Sequence, residues 1–117
     1  MKSFIKIMKA LSDPNRVKIL KLLQHKSDMC VCEIKSLLHI AQPSVSKHLK
    51  ILEEAGLVEY RKDGLWVNYS LPCPGRFAPY ASEMLQQLAA WLENDPEIAA
   101  LAKKAPFVSR AQICRKN

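Results

Sequence analysis

Gln42-Pro43-Ser44-Val45-Ser46-Lys47-His48-Leu49-Lys50-Ile51-Leu52-Glu53-Glu54-Ala55-Gly56 is the stretch that decides the fold. Its apolar residues Val45, Leu49, Leu52 and Ala55 fall at spacings of 4, 3 and 3, which is one face of an α-helix. Pro43 suits the first turn, where its missing N–H would be unpaired anyway, and Gly56 offers a C-terminal stop. Gln42, Ser44, Ser46, Lys47, His48 and Lys50 occupy the rest of the surface, so one face is built for a core and the other is open.

Upstream, Asp13-Pro14 reads as an N-cap followed by proline at the first helical position. Val17, Ile19, Leu20, Leu22 and Leu23 then give the broad apolar face of a buried helix. Before it, Phe4, Ile5, Met8 and Leu11 share a face of a first helix, and after it a short helix carries Ile34, Leu37 and Leu38. Downstream, residues 57–62 and 65–71 are rich in β-branched and aromatic side chains. They flank Asp63-Gly64, a two-residue hairpin signal. Val67, Tyr69 and Leu71 are expected on the packed face of that hairpin, alternating with open positions. Pro72-Cys73-Pro74-Gly75 is a linker, residues from Phe77 to Leu92 make a continuous helical stripe, and Asp95-Pro96 starts a last helix through Ala102.

Three helices followed by a hairpin is the order of a winged helix-turn-helix, a mainly α fold with a β-hairpin wing. The expected core includes Leu11, Leu20, Leu23, Leu37, Val45, Leu49 and Leu52. Residues 1–105 read as one domain and 106–117 as a tail. A chain of 117 residues has little core to spare, so the apolar stripes of the N- and C-terminal helices read as the interface of a homodimer.

Hydrophobic residues make up 49%, enough for a packed core. Lys and Arg number 18 against 11 Asp and Glu, a formal charge of +7, which fits a polyanionic partner. No apolar run approaches the ~20 residues of a membrane span, so no membrane partner is expected. The N-terminus lacks a signal-peptide core, which reads as cytoplasmic and leaves the four cysteines expected as thiols. In a helix-turn-helix the second helix enters the major groove. Gln42, Ser44 and His48 are then placed for base edges, Lys47 and Lys50 for phosphate or guanine, with Ser46 on the same exposed face. Arg61 and Lys62 at the hairpin suit the backbone or minor groove. A polar helix face alone is most often merely solvated. Basic residues on both reading elements, in this element order, favour DNA instead.

These segments carry a family resemblance. Ala10-Leu11-Ser12-Asp13-Pro14-Asn15-Arg16 through Leu23, the whole of residues 42–58, and the hairpin from Arg61 to Leu71 resemble the opening helix pair, recognition helix and wing of the ArsR/SmtB metal-responsive repressors. The resemblance covers roughly residues 5–71. It implies a homodimer on an inverted-repeat DNA operator that represses transcription until an inducer binds.

Met29-Cys30-Val31-Cys32-Glu33-Ile34 is the sharpest chemical feature. Two thiols at a helix start are expected to have lowered pKa values through the helix dipole, and soft thiolates select thiophilic ions. A lone cysteine is more often packed than functional, but a Cys-x-Cys pair here is not. The box resembles the Cys-Val-Cys-Asp-Leu box of the family's arsenic-responsive, arsenical-resistance branch. That resemblance implies no permanent cofactor but a metal-binding site at Cys30 and Cys32 for an inducer, As(III) or Sb(III). Where some relatives carry a third cysteine, this chain has Lys35; two thiolates can suffice, with Cys73, Cys114 or a solvent ligand as the candidate third ligand. Helical residues i and i+2 point about 200° apart. Chelation by Cys30 and Cys32 is therefore expected to unwind the first turn of the helix supporting the recognition helix.

Zinc-sensing relatives place acidic and histidine ligands on the last dimer helix. Residues 77–92 hold Glu83 alone among charged groups and no histidine, which argues against such a site. Cadmium or lead sensing at the same thiols, and thiol redox sensing by the same fold, remain the rival signals. A thiol oxidoreductase is remote, since no alternating strand–helix pattern, phosphate-binding loop or nucleophile elbow is present. The chain is read as a non-enzyme.

Overall fold

The computed structural model describes residues 1–73 and 80–109. Six helices and one hairpin follow in order among them: α1 (Lys2–Ala10), α2 (Pro14–His25), α3 (Val31–Leu38), α4 (Gln42–Glu54), β1 (Glu59–Asp63), β2 (Trp66–Ser70), α5 (Ala81–Ala90) and α6 (Pro96–Lys104). A short 3-10 turn, Ala105–Phe107, closes the series. The antiparallel β1–β2 pair beside α2, α3 and α4 is the winged helix-turn-helix arrangement expected from the sequence.

Helix α2 is the centre of the core. Asp13 caps it by accepting from the N–H groups of Asn15 at 2.8 Å and Arg16 at 3.3 Å. Ile19, Leu20, Leu22 and Leu23 are buried against Ile34 and Leu37 of α3 and Val45, Leu49 and Leu52 of α4. Each such side chain contributes roughly 1.5–3 kcal/mol relative to exposure. Six of the seven expected core residues are buried; Leu11, the C-cap of α1, is only half-buried against the cluster.

Four local details differ from the sequence reading. In α1 the buried face is Ile7 and Ala10, whereas Phe4 and Ile5 are exposed. Of the expected face, Met8 and Leu11 pack partly against the core and only Phe4 and Ile5 are left open. In the hairpin, Asp63 pairs with Trp66, so the two-residue turn is Gly64-Leu65 rather than Asp63-Gly64. Gly64 takes φ +64, and a Cβ there would meet nothing within 4 Å, so the demand for glycine is purely conformational. On β2 the fully buried residue is Asn68, its Oδ1 without a hydrogen-bond partner among the described residues, while Val67, Tyr69 and, just past the strand, Leu71 are half-buried. Finally, α5 ends at Ala90, and Trp91 and Leu92 lie exposed beyond it, Leu92 at φ +65. The part of the expected stripe at Phe77 and the linker residues Pro74-Gly75 lie outside the described residues.

Lys21, in the middle of α2, is 1% exposed. Its ammonium donates to the carbonyls of Leu88 and Trp91, both at 2.8 Å, and pairs with Glu93 Oε2 at 2.9 Å. These two carbonyls, one in the last turn of α5 and one at its C-cap, thereby share a donor that fixes the end of α5 to α2. No described helix is long and apolar enough to cross a membrane.

Candidate DNA interface and thiol site

The turn between α3 and α4 is tight. His39 closes α3 in the left-handed region at φ 57, and Ala41 is the extended N-cap of α4. Val45, Leu49 and Leu52 anchor α4 below, which leaves Gln42, Ser44, Ser46, Lys47 and Lys50 exposed on its outer face. His48 differs from them. It is half-buried, and its Nδ1 lies 3.3 Å from the Arg16 guanidinium. Arg16 also donates to the carbonyls of Ala10 at 2.7 Å and Lys9 at 3.2 Å. His48 thus ties α4 to the α1–α2 corner, a link invisible in the local sequence pattern. Asp13 sits at the same corner. Burial pushes its carboxyl up, but the N–H groups of Arg16 and Asn15, then the charges of His48 and Arg16, outweigh this and hold it below the ordinary value. On the wing, Lys62 is exposed, and Arg61 pairs with Asp28 at 3.2 Å on the surface.

The thiol box is stitched to the wing. Met29 N–H donates to the Tyr69 carbonyl at 3.0 Å, and Tyr69 N–H donates to that of Met29 at 2.8 Å. Cys30 follows as the N-cap of α3, in extended conformation with φ −88 and ψ 168. Because Cys30 lies outside the helix, the 200° divergence of helical i and i+2 positions does not apply. The Cys30 and Cys32 sulfurs lie 2.8 Å apart with α3 intact from Val31. Bringing the sulfurs together therefore does not require the first turn of α3 to unwind.

Cys30 is 3% exposed. Burial pushes its thiol up, and the charge of Glu33 adds to this, overcoming the hydrogen bonds from the Glu33 and Cys32 backbone that favour thiolate. The expected lowering by the helix dipole is thus reversed at Cys30. Glu33, itself buried, accepts from Cys30 N–H at 3.0 Å and pairs with Lys26 at 3.2 Å, and Lys26 also donates to the Val108 carbonyl at 2.8 Å. Cys30 and Cys73 are free thiols, whereas Cys32 is disulfide-bonded, so the expectation of four thiols fails at Cys32. Sequence spacing does not report which bonds folding brings within reach.

A cleft of about 330 Å³ opens over the pair, lined by Cys30, Val31, Cys32, Gln42 and the wing residues Leu65, Trp66 and Val67. Cys30, Cys32 and the first residue of α4 are therefore brought together. Cys73 is exposed and does not line this cleft, and Cys114 lies outside the described residues. Among the described residues, no cluster of three His, Cys, Asp or Glu is positioned to hold a metal ion.

These elements match known regulators. A family model described as "Bacterial regulatory protein, arsR family" matches residues 13–60. The chain is 32% identical over 99 residues to the arsenical resistance operon repressor of Escherichia coli, spanning 85% of this chain and 81% of that one. It is 41% identical over 66 residues to the cadmium resistance transcriptional regulatory protein CadC homolog of Staphylococcus aureus, spanning 56% and 54%. The solved structure of HlyU from Vibrio cholerae superposes with a TM-score of 0.64 at 27% identity, spanning 78% of this chain and 92% of that one. The chain belongs to the arsR family of bacterial DNA-binding transcriptional regulators, which are not enzymes.

Proposed function

We propose that this chain is a homodimeric cytoplasmic repressor that grips an inverted-repeat operator with α4 and the wing. It lets go when As(III), or Sb(III), binds the Cys30 and Cys32 thiolates. The observation that carries the reading is the 2.8 Å approach of the two sulfurs in a cleft walled by Gln42 and Trp66. A soft ion there sits between the two elements that meet DNA, and the Met29–Tyr69 hydrogen bonds link its floor to the wing. The ion shifts the protein only by binding the DNA-free arrangement more tightly than the DNA-bound one. Cys32 must be reduced before it can serve as a ligand. The exposed side chains of Phe4, Ile5, Tyr80, Trp91 and Leu92 supply the dimer interface, with Phe4 and Tyr80 already in edge contact at 5.4 Å.

The test uses a duplex selected from a random pool by the reduced protein. Arsenite releases that duplex from wild type, while Cys30→Ser binds it and holds it. Unchanged arsenite sensitivity in Cys30→Ser sinks the proposal. Sedimentation of the free protein as a monomer removes the dimer. The disulfide state of Cys32 favours one second reading, a repressor switched by thiol oxidation. Release by peroxide, with no response of the reduced protein to arsenite, selects that reading. Titration with cadmium and lead on the same duplex ranks the soft ions.

A further inference from the structure

Two clefts flank the turn that precedes α4 and share Ser36 and His39. One, of about 420 Å³, brings these residues against Lys103, Lys104 and Phe107. The other, of about 560 Å³, joins them to Lys35 and continues through Ala41 to Gln42, the start of α4. Lys35, His39, Lys103 and Lys104 are all exposed, and none of the three lysines makes an ion pair among the described residues. Lys18, Lys21 and Lys26, by contrast, are each paired with a glutamate. No acidic residue among the described ones lines either cleft, although the chain has 11.

The α6 lysines are held in place. Asp95 caps α6 by accepting from Glu97 and Ile98 N–H, Ile98 is buried, and Glu97 pairs with Lys18 of α2. Lys103 and Lys104 therefore stand on a helix docked to the DNA-binding unit. Ammonium groups without an ion pair among the described residues, with Ser36 and Ser109 lining the same clefts beside the start of a groove-entering helix, have the chemistry of a phosphate-contacting surface.

We propose that Lys35, His39, Lys103 and Lys104 form a shelf for the sugar-phosphate backbone of duplex DNA, extending the interface beyond α4 and the wing onto α6. The shelf rests on the reading of α4 as the groove-entering helix. It positions the protein on DNA and carries no sequence information.

The experiment is a fluorescence-anisotropy titration of a short random-sequence duplex across a salt series, with wild type and Lys103→Ala/Lys104→Ala. Each lost phosphate contact reduces the slope of log K against log salt by about 0.9, so the double variant loses about 1.8 per protomer. Its affinity at ~0.1 M salt drops on the order of tenfold. Preference for a selected duplex over a random one stays the same. Lys103→Arg/Lys104→Arg keeps the wild-type slope, and Lys35→Ala alone lowers it by about 0.9. An unchanged slope in the alanine double variant overturns the shelf and leaves α4 untouched, as does lost affinity at constant slope. Absence of salt-dependent duplex binding by wild type overturns both the shelf and the α4 reading. Binding of an acidic peptide in place of the duplex overturns both as well.

Discussion

The Arg16 guanidinium meets His48 Nδ1 at 3.3 Å, joining the α1–α2 corner to the underside of α4. Two further bonds from Arg16, to Ala10 and Lys9, make it the bolt of that corner. Arg16→Ala leaves a half-buried carbonyl and the His48 ring without their partner. Stability should drop by about 1–2 kcal/mol in urea unfolding. Affinity for selected and random duplexes should weaken together, because the tilt of α4 is affected rather than any one base contact. Loss confined to the selected duplex would show that His48 meets a base instead.

Gln42 and Lys47 should separate in the opposite sense. Gln42 is exposed at the first position of α4, so Gln42→Ala should cut the selected-to-random affinity ratio by roughly 1–3 kcal/mol if it meets one base edge. Lys47→Ala should weaken both duplexes alike and lower the salt slope by about 0.9. Equal losses for Gln42→Ala on every sequence would rule out base contact there.

The upward push on Cys30 sets the pH dependence of ion binding. Burial, then Glu33, raises its thiol above the ordinary 9.0, so the protonated form prevails at neutral pH. A bound soft ion must displace that proton. Apparent affinity of the reduced protein for aqueous cadmium should therefore climb about tenfold per pH unit for each thiol proton displaced, until Cys30 itself titrates, whereas arsenite releases its hydroxides with the thiol protons as water and should bind with little pH dependence below the thiol range. Glu33→Gln removes the neighbouring charge and should move the Cys30 titration down. The thiolate ultraviolet absorbance of a variant with Cys30 as its lone cysteine reports this directly. An unmoved titration would leave burial as the whole cause.

Lys21→Met exchanges a buried ammonium for an apolar side chain of similar length and removes the donor shared by the carbonyls of Leu88 and Trp91, leaving Leu88 the 3.2 Å bond from Trp91 N–H. The expected loss is about 2–3 kcal/mol by urea unfolding, with the end of α5 fraying first in hydrogen exchange. Protection of α5 equal to wild type would show that apolar packing alone seats that helix.

Asp13→Ala removes the cap of α2 and should cost about 1 kcal/mol at neutral pH. The folded carboxyl titrates below its ordinary 3.8, so its contribution is complete above that value and disappears as pH falls through the lowered one. Wild type and variant should therefore converge in thermal stability in strong acid. A gap that persists there would assign the effect to backbone geometry.

Helices α2 and α4 were legible because a cap, a proline and a helical apolar period agreed at each of them. The face of α1 was not, since periodicity cannot tell a face kept for the core from one left open, and Phe4 and Ile5 outweighed Ile7 and Ala10 by size. The hairpin slipped by one because both Asp63-Gly64 and Gly64-Leu65 can supply the positive φ of a two-residue turn. The burial of Lys21 is not legible in the sequence, because its acceptors come from residues 88 and 91. The thiol pair is legible in its spacing but its geometry is not, since one residue's shift from helix to cap turns two diverging sulfurs into neighbours.

Met29 and Tyr69 exchange both of their backbone hydrogen bonds, so β2 is gripped from two sides and the hairpin has a third, one-residue rung. Whatever moves residue 30 thus reaches the wing across a single peptide unit, with no relay of side chains in between. The transmission is made of main chain. A descendant of this protein could exchange its two sulfurs for ligands of another hardness, retune what it detects, and inherit the output stage unaltered.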